Sequence, residues 1–170
     1  SDTFTVDVRA VNDPPTISDI ANQGINEDGN TGPLAFTVGD AETAATSLTV
    51  TASSSNTALV PNANVVLGGT GASRTVTVTP LANQSGTTTV TVTVSDGTAT
   101  ASDTFTVDVR AVNDPPTISD IANQGISEDG NTGPLAFTVG DAETAAMSLM
   151  VMASSSNTAL VLNANVVLGG

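Results

Sequence analysis

Residues 1–69 return as residues 102–170, an offset of 101, with five positions changed: Asn26/Ser127, Thr46/Met147, Thr49/Met150, Thr51/Met152 and Pro61/Leu162. A period near a hundred residues is too long for one turn of a solenoid, so each repeat is expected to be an autonomous domain on a string. The phase of the repeat then sets the domains. Residues 1–11 read as the last strand of a preceding repeat, residues 12–111 as one complete repeat, and residues 112–170 as an incomplete next one. A hundred residues can bury an adequate core without staples, and the shorter fragment cannot. The chain is therefore expected to be a window on a longer polypeptide, or to have its open end completed by a neighbour.

Within the repeat, apolar and polar residues alternate strictly. Val76 and Val78 share one face of residues 73–80, as do Val90, Val92 and Val94 in residues 87–96 and Phe105, Val107 and Val109 in residues 104–112. Leu34, Phe36 and Val38 align in residues 34–40, and Leu48, Val50 and Ala52 in residues 47–53. A period of two with threonine opposite predicts half-buried strands with a hydroxyl-lined outer face. Clusters such as NEDGNTGP, SSSN, LGGTGAS and SDGT separate them as turns. Strands are expected near residues 26, 36, 50, 65, 76, 91 and 106, and no segment has a sustained helical period. Seven short strands in a hundred residues predict an all-β chain of tandem immunoglobulin-like sandwiches set end to end. The predicted core is Phe36, Leu48, Val50, Val76, Val78, Val92, Phe105 and Val107. The prolines of AVNDPP (10–15 and 111–116) stiffen the linker and keep it out of any ladder.

Charge narrows the partners. Seventeen acidic residues face three arginines, with no lysine or histidine, for a formal charge of −14. Nucleic acid and anionic membrane surfaces are repelled, and cations are the natural partners. No apolar run is long enough for a transmembrane helix, and the absence of cysteine removes disulfides and thiol chemistry.

Several motifs together resemble cadherins. VNDPPTIS after the last alternating strand is similar to the linker D-x-N-D-x-x-P, and FTVGDAET to the D-x-D strand. GINEDG resembles the early glutamate-containing turn, and TVTVSDGTATASDTFTVDV the run into the last strand. Over the whole repeat the chain resembles the bacterial cadherin-like and Ig-like tandem repeats of large surface adhesins. That resemblance implies an extracellular or cell-surface protein with calcium at its junctions. Ca²⁺ takes six to eight oxygens, best drawn from several loops. Asn12, Asp13, Glu27, Asp40 and Glu42 would gather at the start of the complete repeat, and Asn113, Asp114, Glu128, Asp141 and Glu143 at the start of the next. Asp96 would approach the next junction from the preceding domain. Ala10 and Ala111 stand where the first linker aspartate belongs, and no D-R-E motif occurs around residues 80–84, which reduces the expectation to one ion per junction or none. The competing reading is that Asp13, Asp40 and Asp96 simply close side-chain-to-backbone turns.

Other features are read more plainly. The threonine ladder Thr87, Thr89, Thr91 and Thr93 reflects β-propensity on a solvated face rather than an ice-binding surface. Asn83-Gln84-Ser85 is a glycosylation sequon by pattern. Met147, Met150, Met152 and Leu162 give the second copy an outward apolar stripe, a contact surface or a by-product of mutational bias.

Catalysis is the weakest class. Without histidine, cysteine, lysine, tyrosine or tryptophan, a serine has no base to activate it and a sugar has no broad aromatic platform. Two readings remain: a structural repeat of an adhesin stalk or filament, whose partners are neighbouring copies of the repeat, or a carbohydrate-binding accessory module of a larger secreted enzyme. Near-identical tandem copies favour the first.

Overall fold

The computed structural model describes residues 1–170 and divides into two compact units, Ser1–Val112 and Asn113–Gly170. In the first unit eight strands follow in order: β1 (Thr16–Ile17), β2 (Gln23–Asn26), β3 (Leu34–Gly39), β4 (Thr49–Ser54), β5 (Val65–Thr70), β6 (Ser73–Val78), β7 (Gly86–Ser95) and β8 (Thr100–Arg110). They form two four-stranded sheets, β1-β3-β6-β5 and β2-β8-β7-β4. All neighbours are antiparallel except β2 and β8.

Seven of these strands stand near the positions expected from the sequence. The eighth arises because the first edge strand is split between the sheets. β1 pairs with β3, and the chain then crosses so that β2 runs parallel to β8. Residues 16–26 do not alternate, so periodicity gives no sign of the crossing. Side-chain hydrogen bonds hold it. The Ile20 amide donates to Asp103 (2.9 Å), Asn22 accepts from the Thr106 amide (2.7 Å), and Ile20 itself is buried between the sheets.

The core lies where the two inner faces meet. Val76, Val78, Val90, Val92, Val94 and Val107 are completely buried, with Phe36, Val38, Leu48, Phe105 and Val109 nearly so. Of the eight predicted core residues only Val50 departs from the expectation. It is half-buried, because β4 is the edge of its sheet, and Leu34 and Ala52 are likewise only partly covered. Leu59 and Val60 also join the core, from a loop rather than a strand. Their amides bond to the Asn56 carbonyl (3.2 and 2.9 Å), which turns both side chains inward. On the outer face, Ser53, Thr91 and Thr104 lie in one cross-strand row, and Thr51, Thr93 and Ser102 in the next.

The second unit keeps its local turns but has no extended ladder. β9 (Thr117–Ile118) and β10 (Val139–Gly140) repeat the β1–β3 register, and the 3-10 turn Asn163–Asn165 matches Asn62–Asn64. None of its apolar side chains is fully buried, and many stay in solvent: Leu160 is 80% exposed where Leu59 is 3%. Met147, Met150, Met152 and Leu162 all face solvent. A turn is closed by residues a few positions apart, whereas a covered core requires distant strands.

The same contrast appears inside the first unit. SDTFTVDVRA occurs as residues 102–111, almost all in β8, and as residues 1–10, which form no strand. Phe105 is 1% exposed and Phe4 89%. Phe105→Ala is therefore expected to lower unfolding free energy by about 3–5 kcal/mol, and Phe4→Ala by less than about 0.5 kcal/mol, measured by urea denaturation of the full chain. Equal effects would contradict this burial.

Candidate functional site

The acidic residues singled out from the sequence fall at two ends of the first unit. At its beginning, Asn12 donates from Nδ2 to Asp96 Oδ2 (2.9 Å) and to the Asp13 carbonyl (3.0 Å). The Asp13 amide donates to Glu42 Oε2 (3.0 Å). Asp40, immediately after β3, accepts at Oδ1 from the Glu42 amide (2.9 Å) and the Thr43 amide (2.6 Å). This is an Asx turn, favoured because a short carboxylate reaches amides two and three residues on. Asp96 does the same in the β7–β8 hairpin, accepting from the Thr98 and Ala99 amides, both at 2.6 Å. Gly97 takes φ +96°, which the tight hairpin requires and a side chain would resist.

Two placements correct the sequence expectation. Asp96 does not serve the following junction. The β7–β8 hairpin returns to the start of its own unit, so its carboxylate meets Asn12. Glu27 does not join Asn12, Asp13, Asp40 and Glu42 either. β2 runs parallel to β8 with Asn26 opposite Arg110, which carries Glu27 to the far end. There Glu27 is buried, its amide donates to the Arg110 carbonyl (2.9 Å), and its Oε1 accepts from the Val112 amide (2.6 Å). It fastens the point where the chain leaves the sandwich. Only the topology reveals this, because 85 residues separate the partners.

In the second unit the beginning is rebuilt almost unchanged. Asn113 donates to the Asp114 carbonyl (2.8 Å), the Asp114 amide to Glu143 Oε2 (2.9 Å), and the Glu143 and Thr144 amides to Asp141 Oδ1 (3.0 and 2.7 Å). Glu128 is exposed in its own turn.

Calcium can be weighed against these contacts. No group of three acidic side chains stands close enough to hold a metal ion, so the acids form a set of turns and not a ready cage. One feature does suit a cation. Asp40 Oδ2 is the single buried side-chain polar atom with no hydrogen-bond partner, and an unmet buried acceptor is costly. Two open grooves lie against the β3–β6 pair, about 90 Å³ beside Val50, Leu67 and Arg74 and about 440 Å³ beside Ser18, Thr37, Ser73 and Thr75; Phe36, which borders both, is buried and offers a sugar no exposed aromatic face. No helix is long and apolar enough to cross a membrane.

The bonds from Ala99 first, then Asn12, then Thr98 hold the Asp96 carboxyl below its ordinary value of 3.8. A depressed folded value stabilises the fold in full above the unfolded value and loses that contribution as pH falls through the folded one. Asp96→Asn is thus expected to lower Tm at neutral pH, with the deficit shrinking as pH drops below about 3.8. A deficit independent of pH, followed by thermal melts down the acid range, would contradict the carboxylate's role.

The profile of a family described as bacterial Ig domain matches residues 12–110. No curated protein sequence matches the chain. Among solved structures, similar ones include the complex of titin M10 with the obscurin-like 1 Ig domain, 13% identical, covering 58% of this chain and 96% of that one at TM-score 0.42. Titin M4 is 17% identical, covering 59% and 100% at 0.41. The titin I67–I69 E-to-A variant is 18% identical, covering 64% and 35% at 0.45.

Proposed function

This chain belongs to the bacterial Ig domain family, and from that premise we propose that it is a non-enzymatic structural repeat of an extracellular, surface-attached adhesin stalk or filament. The observation that carries this reading is the continuity of the chain through a closed sandwich. β8 ends at Arg110, Glu27 fastens Val112, and a second copy of the domain start begins at Asn113 with the same turn bonds. Such a unit uses its polar residues to define where it begins and ends. Repetition then gives length, and the two prolines of each linker limit bending. Its partners are neighbouring repeats, set end to end.

The length of β8 sets the expected spacing. Eleven residues at about 3.3 Å each, with a short linker, give roughly 40 Å per repeat. In X-ray scattering from chains of two, four and six complete repeats, the maximum dimension should grow linearly by about that amount. Growth with the cube root of mass, as in a collapsed globule, would defeat the stalk reading.

A second reading, that each domain start binds calcium, is supported by the unpartnered Asp40 Oδ2. Asn12, Asp13, Asp40, Glu42 and Asp96 would supply oxygens, as would Asn113, Asp114, Asp141 and Glu143 in the next repeat. The ion would neutralise acids that otherwise repel one another. Binding only the folded state raises stability by linkage, about 2.7 kcal/mol at a hundredfold excess over Kd. Calcium at millimolar level should then raise Tm, and Asp40→Asn should remove the effect. An unchanged Tm with no titration heat would eliminate calcium and leave the stalk proposal standing.

A further inference from the structure

Arg74 stands apart from the other two arginines. Arg9 lies beside Asp7 (3.4 Å) and Arg110 beside Asp108 (3.7 Å), each an exposed pair between residues two apart. Arg74 is half-buried and pairs with no carboxylate, in a chain with seventeen acids and three arginines. Strand phase accounts for the separation. Arg74 shares the inward face of β6 with the buried Val76 and Val78, so its side chain enters the space between the sheets. Main-chain carbonyls hold the guanidinium there. Nε donates to Gly71 (2.8 Å) and Nη2 to Ala45 (3.1 Å). These use two of its five N–H donors. The other three, two on Nη1 and one on Nη2, have no partner in the protein.

The register builds a groove around this group. β3 places Phe36 and β5 places Gly69 opposite Arg74, one on each side. Gly69 brings no side chain, and at φ +82° an added Cβ would stand 2.8 Å from Arg74 Cα, so the row stays open there. β4 and β5 are edge strands of the two sheets, and their partly covered Val50 and Leu67 complete the walls. The groove thus joins one cation to apolar surface in about 90 Å³. A cavity that accommodates benzene measures about 150 Å³, so this one suits only a short aliphatic stem.

We propose that the groove is a binding site for a short aliphatic carboxylate, held at its charged end by Arg74 and along its stem by Val50 and Leu67. The free N–H groups lie in one plane and match the two oxygens of a carboxylate. The carbonyl anchors have already ordered the side chain, which reduces the entropic cost of binding. Phosphate or sulfate would gain nothing from the aliphatic walls. A free short-chain acid and a glutamate side chain from a second copy of this chain offer the same chemistry. None of the residues assigned to calcium lines the groove, so this site and the calcium reading stand or fall separately.

Butyrate is the probe. In a titration of the full chain followed by amide NMR, the signals of Val50, Leu67, Gly69 and Arg74 should move and saturate with a Kd of roughly millimolar order. Sodium chloride at equal ionic strength, or butanol, should give no saturating shift. Arg74→Gln should weaken binding about tenfold or more. Val50→Glu keeps the arginine and supplies a tethered carboxylate at the groove wall. It should block butyrate while amide signals away from the groove stay in place. Sedimentation separates the two sources, and either result supports the site. Association that butyrate reverses assigns the acid to a second copy, and a monomer that binds butyrate assigns it to a free acid. The proposal is overturned if the butyrate shifts do not saturate, or if chloride or butanol reproduces them. It is equally overturned if Val50→Glu, or a folded Arg74→Gln, binds butyrate as the unaltered chain does.

Discussion

The backbone ladder of β8 is the interaction on which the rest of the sandwich depends. It is the only strand that pairs along nearly its whole length with one neighbour and also holds the split edge strand on its other side. Its inward side chains cover the valines of the opposite sheet, and its carboxylate at Asp103 secures the crossing at Ile20. Strand propensity alone does not produce this. Residues 1–10 carry the same propensities and the same alternation, yet they lie exposed without a ladder. Sequence selects which face a strand would bury, and the partner strands decide whether it becomes one.

Alternation made most of this legible. Phe36, Val76, Val78, Val92, Phe105 and Val107 could be assigned to the core because a period of two leaves one answer once a face is buried. Periodicity was silent where the chain does not alternate. The crossing at Ile20 and the inward turn of Leu59 and Val60 depend on hydrogen bonds between distant or irregular segments. Edge effects were also hidden: Val50 has the right phase, but β4 has a neighbour on one side only.

The acidic residues were found by type and misplaced in part by end. Asp13, Asp40 and Glu42 are close in the fold because β1 and β3 are paired neighbours, so their short motifs remain together. Glu27 and Asp96 were assigned from motif resemblance without a strand direction. The parallel β2–β8 pairing sends one to the exit, and the β7–β8 hairpin brings the other to the entrance. Most of these carboxylates accept backbone amides, which fits residues that define domain boundaries. Asp40 Oδ2 alone is left without such a partner in the interior.

The central claim is that partner strands, and not sequence, separate two identical segments of one molecule. Amide hydrogen exchange read by NMR in dilute solution compares them directly. Amides of residues 103–109 should exchange only on opening of the first unit, while those of residues 2–8 should exchange at rates near those of an unstructured peptide. Equal protection of the two segments, or rapid exchange of both, would contradict the account.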